Sequence, residues 1–379
     1  MAISGVSKNG YCTACGACVA ACPFSALEMC EGVGGEPFPY VDAELCCDCG
    51  KCVAVCPSNH PASLRHPLRT YAAWSNDDED LAKSSSAGLA AAICRHVLRR
   101  GGVAFGCVAS EGSAHCAMAD DEAGAEAFRG SKYVYSEPLD SYQRVRKQLR
   151  SGRRTVFVSV PCQVAALKSY LGGKPDGLLC VDLICHGTPP MSRLREHLDR
   201  ACPDGWDSFS FRGERDFSMC AYKGGTLVYE RSCFEDEYFL VFVTALSFRE
   251  CCYECPYARN ERVGDLTIGD FWGLDRSTLL EQPPKKVSLC LANTERGVAF
   301  VRGLAGEVHF EERSFEEADN PEQTNLHEPS ARARGREKFL TSIERLGFDR
   351  AVRSTFVWKR YLLRKVRHRA RAFLKGLME

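Results

Sequence analysis

CTACGACVAACP at residues 12–23 and CCDCGKCVAVCP at residues 46–57 repeat one another at an offset of 34 residues. Each block has the spacing C-x2-C-x2-C-x3-C-P, with Cys12, Cys15, Cys18 and Cys22 in the first and Cys46, Cys49, Cys52 and Cys56 in the second. Three thiols two residues apart can face one point only if the chain turns tightly, and Gly16 and Gly50, at the same place in both blocks, supply that freedom. The fourth cysteine is expected at the start of a short helix, with Pro23 or Pro57 ending the loop conformation.

This spacing resembles the bacterial ferredoxin run, in which three cysteines ligate one 4Fe-4S cluster and the fourth ligates the other. The resemblance implies that Cys12, Cys15, Cys18 and Cys56 hold one cluster and that Cys46, Cys49, Cys52 and Cys22 hold the second. Neither half completes its site alone, so metal binding and folding of the module are expected to be one event. C-x2-C pairs also suit zinc, but zinc takes four ligands per ion, and two four-cysteine runs each followed by proline match the two-cluster pattern better.

The surrounding composition fits this reading. At 379 residues the chain is longer than one ordinary domain, so a small module attached to a larger one is expected. Lys plus Arg equal Asp plus Glu at 49 each, which gives no global charge for nucleic acid, and no nucleic-acid partner is expected. Twenty-three cysteines would form a disulfide scaffold only in a small secreted protein. MAISGVSKNG has no apolar signal region, and no run approaches the roughly 18 apolar residues of a membrane span. A cytoplasmic location is therefore expected, where thiols stay reduced and closely spaced cysteines serve as metal ligands.

The fold class expected is α+β. A ferredoxin-like dicluster domain at 1–65 is followed, after the linker-like PSNHPASLRHP, by a larger mixed domain with α/β character at 66–350. There GGVAFGCVA, RTVFVSV and GLLCVDLIC read as buried strands, and SSSAGLAAAICRHVLRR and CQVAALKSYL as helices. Residues 208–247, rich in aromatic and β-branched types, suggest an antiparallel stretch; DLTIGDFWG, VSLCLANT and a helical pattern from Ala331 are weaker signals. Residues 351–379 read as a basic amphipathic helix with nine Lys/Arg against one Glu and a stripe of Phe356, Leu363, Val366, Ala370, Phe373 and Leu377. Such a helix docks on the acidic body, or contacts an anionic membrane surface or a partner.

Several strings of the larger domain stand in an order that resembles the beta-subunit family of coenzyme F420 hydrogenase and dehydrogenase: SSSAG from Ser84, RGSKYV from Arg129, PCQVAALKSYL from Pro161, DLICHGTPP from Asp182, CCYECPYA from Cys251 and DLTIGDFWG from Asp265. The resemblance covers about residues 10–300 and implies a flavin-containing electron-transfer protein that binds FAD and iron-sulfur clusters. A flavin accepts hydride and releases electrons singly to clusters, while the protein positions it and tunes its potential.

Ser84, Ser85, Ser86 and Gly88 precede a helical run, where hydroxyls, backbone N–H groups and the helix N-terminus favour a phosphate, although serine there also serves as an ordinary cap. The family more often has glycine where this chain has Ala87, so a positive φ is not expected at that position. Cys162, Cys185, Cys252 and Cys255 form a candidate third 4Fe-4S site beside the flavin; two follow expected strands, as site-lining residues of an α/β sheet do. Their alternative is inert burial, common for free cysteine. Cys30, Cys47 and Cys251 are excluded as ligands by spacing. His186 is a candidate proton donor, and Lys132 and Tyr133 candidate contacts to an anionic flavin or substrate, with Lys132 also a candidate catalytic group; Arg262 and Asp270 are candidates near the cluster.

Three functions remain open from sequence. One is an iron-sulfur flavoprotein oxidoreductase exchanging hydride with F420 or another small molecule. Another is an electron-relay subunit wiring a ferredoxin or an oxidoreductase subunit to a partner enzyme. The third is a cluster-bearing binding protein.

Overall fold

In both cysteine blocks the third cysteine lies within a short helix, Ala17–Ala21 or Lys51–Ala54, and the fourth follows it. This reverses the expected order of helix and fourth cysteine. Proline disfavours the helical region for the residue before it, and Cys22, ahead of Pro23, is extended at φ −73, ψ 115. These details come from a computed structural model that describes residues 6–7, 11–173, 175–213, 216–356 and 358–359.

The blocks are linked by an antiparallel hairpin, β1 (Leu27–Glu31) and β2 (Pro37–Val41). The strands that follow are β3 (Arg69–Ser75), β4 (Val103–Ser110), β5 (Ser113–Ala119), β6 (Thr155–Ser159) and β7 (Leu178–Leu183). Next come β8 (Ser208–Gly213), β9 (Asp216–Lys223) and β10 (Thr226–Ser232), then β11 (Leu266–Asp270), β12 (Ser288–Ala292) and β13 (Val308–Arg313). Eight of them make one mixed sheet in the order β13-β3-β12-β11-β7-β6-β4-β5, whose centre, β4, β6, β7 and β11, is parallel. β8, β9 and β10 form a separate antiparallel sheet, as residues 208–247 suggested.

The central strands carry unbroken apolar runs because both faces are covered. On one face the helix Leu89–Leu98 packs Ile93 and Val97 against Val156, Leu179 and Ile268. On the other, the helix Pro161–Leu171 joins Phe105, Phe157 and Cys180, and the same core takes in Cys15, Ala17, Ala20 and Val55 of the cysteine blocks. The N-terminal module therefore shares a core with the body. A third core lies between the small sheet and the helices Met191–Ala201, Glu237–Val243, Arg336–Leu346 and Phe348–Arg353.

Residues 84–88 form a loop where the sequence suggested a continuous helix: Gly88, at φ +79, begins the helix at Leu89. A Cβ there would meet Asp80 Cβ at 2.7 Å and Ser75 Cβ at 2.9 Å, so glycine is required on two grounds. The left-handed residue is thus Gly88, not Ala87. Of the expected C-terminal stripe only Phe356 falls within the described residues. No described helix is long and apolar enough to cross a membrane.

Candidate metal and cofactor site

Cys12, Cys15, Cys18 and Cys56 line one cavity together with Thr13, Ala14 and Gly16. Three thiols come from the first block and the fourth from the second, the crossed grouping that the ferredoxin resemblance implies. Burial pushes the Cys12 thiol up to about 11 and raises Cys15 and Cys18 as well, with neighbouring thiols adding to the rise. A metal core that binds here as a thiolate complex must displace those protons. The loop is held from outside: Tyr142 and Tyr135, both buried, donate to Cys15 O and Ala14 O at 2.7 Å.

The second quartet is built on the same backbone and lies in a different environment. Cys46 and Cys49 are exposed, while Cys22 and Cys52, one from each block, pack against Cys18 and Cys56. Burial raises Cys52, and the thiols of Cys46 and Cys49 add to it. Among the described residues no three Cys, His, Asp or Glu side chains converge tightly enough for one metal ion.

Cys162, Cys185, Cys252 and Cys255 come together as a third set. β6 and β7 are adjacent parallel strands; Cys162 opens the helix after β6, and Cys185 stands two residues beyond β7. Cys252 and Cys255 arrive on the short turn Glu250–Glu254 and the residue after it. Burial raises Cys162 strongly, and Cys255, Cys185 and Cys15 reinforce the rise, which places this set beside the first quartet. Cys185 is pushed up to about 12 by burial, with Cys252 and Cys255 adding. Cys252 is held down at about 5, because a hydrogen bond from the Cys251 thiol and the nearby Arg249 guanidinium outweigh burial.

Arg262 does not face this space; it braces it. Its guanidinium, buried behind the sheet, donates to Asp182 Oδ2 (2.7 Å) and Leu183 O (3.1 Å) on β7, and to Tyr257 O (2.8 Å) and Arg259 O (3.1 Å). One side chain thereby ties the loop after Cys255 to the strand that leads into Cys185.

The remaining expected residues lie along the same edge of the sheet, where its parallel strands end. Ser86 Oγ meets Ser288 Oγ at 2.9 Å, and Ser288 pairs with Asp270 across β11 and β12. Ser85 Oγ accepts from Ser131 N–H at 2.7 Å, and Ser84 N–H donates to Asp80 O. Tyr133 stacks on Phe242 at 4.4 Å, and Phe242 in turn touches the His186 ring edge-on at 5.4 Å. His186 Nδ1 lies 3.0 Å from Asn325 Oδ1. Lys132 instead directs its ammonium at Ala127 O, Phe128 O and Arg129 O, between 2.9 and 3.2 Å, and burial pushes it down to about 8. That geometry fastens the 127–132 turn.

Sequence reading passed over Arg249, Arg212 and Ser288. Arg212 donates to Tyr133 Oη at 3.0 Å, and its guanidinium centre lies 3.9 Å from the Phe217 ring centroid. None of the three stands in a cysteine run or a glycine-rich string, and only the tertiary fold brings them to the site.

Residues 11–60 match the family model of the 4Fe-4S dicluster domain, and residues 152–318 match that of the C terminus of the coenzyme F420 hydrogenase/dehydrogenase beta subunit. This chain joins a 4Fe-4S dicluster domain to a coenzyme F420 hydrogenase/dehydrogenase beta-subunit domain. It is an iron-sulfur electron-transfer protein like that beta subunit. Among solved structures, a chain of the F420-reducing NiFe hydrogenase complex from Methanosarcina barkeri is similar at 18% identity, covering 69% of this chain and 91% of that chain, with a TM-score of 0.46. No curated protein matches the sequence.

Proposed function

We propose that the protein is an iron-sulfur flavoprotein oxidoreductase that links single-electron traffic at its clusters to hydride exchange with F420 or another small molecule. The observation that carries this reading is the meeting of Cys162, Cys185, Cys252 and Cys255 directly beside Cys15. A sulfur-rich path then runs from the exposed Cys46 and Cys49, through the buried first quartet, to the edge where the parallel strands end. Open α/β sheets bind ligands at that edge.

Four thiols that converge beside Cys15 suit a third 4Fe-4S core. FAD suits the edge by its donor set: Ser85 and Ser86 N–H have no acceptor among the described residues, and the ten-residue helix starting at Leu89 directs its N-terminus there. FAD, when bound, supplies the exchange between hydride and single electrons. Ser84, Ser85, Ser86 and Gly88 hold its phosphates; Tyr133 and Asp270 border it, and His186, next to Cys185, holds a proton at the sheet edge. Lys132 fixes the adjoining turn, and Arg262 fixes the cysteine loop. A redox partner, a ferredoxin or an oxidoreductase subunit, docks at the exposed second quartet.

Protein purified without oxygen is the test. Acid-released flavin near one per chain, bleached by a deazaflavin or nicotinamide donor with concurrent reduction of the clusters, is expected. Full iron with no flavin would overturn the oxidoreductase reading in favour of an electron-relay subunit without its own substrate.

A further inference from the structure

Three arginines are buried in the described structure, Arg249, Arg262 and Arg336. Arg262 has Asp182 at 2.7 Å and Arg336 has Glu250 at 2.7 Å. Arg249, 4% exposed, makes no ion pair with any carboxylate among the described residues. Its Nη1 donates to Thr13 O at 2.7 Å and its Nε to Thr188 Oγ1 at 3.3 Å, while Nη2 lies 4.0 Å from Cys252 Sγ. The guanidinium centre stands 4.5 Å from the Tyr135 ring centroid, and the Tyr135 hydroxyl donates to Ala14 O. Thr13 and Ala14 form the turn between Cys12 and Cys15, so one side chain bridges the first quartet and the third set. The Glu36 carboxylate senses this cation but accepts from Glu250 N–H at 3.1 Å instead.

A buried cation without a counter-charge is strongly unfavourable, and guanidinium stays protonated. The titratable groups nearest Arg249 are the thiols of Cys251, Cys252 and Cys162 and the Tyr135 hydroxyl, and its charge also reaches Cys12, Cys185 and Glu36. Thiols ligate metal as thiolates, so the loaded cores bring further negative charge into the space around Arg249.

We infer that Arg249 is a positioning residue whose fixed charge, shared between the first quartet and the Cys162, Cys185, Cys252 and Cys255 site, raises the reduction potential of both. The part that concerns the third site rests on the function proposed above. Each electron added to an anionic core meets the nearby cation in a poorly screened interior, which favours the reduced state. An electron that crosses from one site to the other stays within reach of the same charge. The quartet of Cys46, Cys49, Cys52 and Cys22 has no contact with Arg249 and serves as an internal reference.

The test is a redox titration followed by electron paramagnetic resonance on the anaerobic full-length chain, with Arg249→Gln and Arg249→Lys beside the wild type. With iron content unchanged, Arg249→Gln is expected to shift the first-quartet and third-site signals to more negative potential and leave the second-quartet signal in place. Arg249→Lys keeps the charge and is expected to restore most of the shift. Unmoved potentials in iron-replete Arg249→Gln, or equal shifts at all sites, would overturn the inference. If Arg249→Gln fails to load iron, loading of Arg249→Lys supports the charge role and its failure overturns it. Wild-type protein with iron for two clusters alone would refute the third site; the shift at the first quartet still decides the role of Arg249 there.

Discussion

The two cysteine blocks share spacing, backbone and family, and yet they sit in opposite surroundings. Gly16 and Gly50 have φ of +75 and +71, and Ala14 and Asp48, at equivalent positions, have φ of +52 and +53. Around Gly50 nothing lies within 4 Å of an added methyl, whereas at Gly16 that methyl would meet Pro138 Cγ at 2.5 Å. The first loop is clamped by Tyr135, Tyr142 and Arg249 from the larger domain; the second faces solvent at Cys46 and Cys49. Local sequence sets the shape of a cluster loop, while distant residues set its environment. Since exposure and nearby charge tune cluster potentials, the proposed function gives the two near-copies different tasks, one as an entry point and one as a buried relay.

The largest expected effect comes from the crossing itself. Cys56→Ser removes a ligand of the buried quartet supplied by the second block, so spectra and iron measured without oxygen should show loss of the shielded cluster first, although the deleted residue belongs to the block that carries the exposed Cys46 and Cys49. Cys22→Ser should act in the same way from the other side. Loss of the exposed cluster in Cys56→Ser, or of the shielded one in Cys22→Ser, with the other intact, would mean that each block closes its own site.

Accessibility sharpens the contrast next. On brief exposure to an iron chelator, the signal that broadens with an added soluble paramagnetic ion, that of the exposed quartet, should disappear first. Simultaneous loss of both would place them in equivalent surroundings.

The glycine pair gives a smaller, graded effect. Gly50→Ala should cost about 1–2 kcal/mol for the left-handed backbone alone. Gly16→Ala adds the contact with Pro138, worth roughly 1–3 kcal/mol more by the usual scale of overpacking. Thermal unfolding of iron-replete protein should therefore rank Gly16→Ala well below Gly50→Ala, and equal midpoints would contradict the asymmetry. Of the same size as Gly50→Ala, Tyr142→Phe leaves Cys15 O without its donor and should cost about 1–2 kcal/mol by the same measurement.

The blocks were legible in the sequence because their chemistry is local: ligand spacing, glycine and proline all lie within twelve residues. The buried parallel strands were also legible, since runs such as TVFVS and LLCVDL have few other readings. β3, β5 and β13 carried weaker signals, being mixed in polarity and paired antiparallel towards the edges of the sheet. The bracing contacts of Arg262 were not legible because its partners Asp182 and Leu183 lie some eighty positions away in the chain. The contacts of Lys132 were hidden for the opposite reason: its acceptors are three carbonyls only three to five residues back, and spacing does not reveal which way a lysine turns. Arg249 gave no sequence signal at all, since its significance comes from lying beside Thr13 and Cys252 without a carboxylate.

Iron and acid-labile sulfide, counted per chain in oxygen-free protein alongside zinc, bear most directly on the crossed quartets. About eight iron atoms are expected from the two quartets, rising to about twelve with the third site filled, with matching sulfide and no zinc. Zinc in place of iron, or iron for a single cluster only, would contradict them.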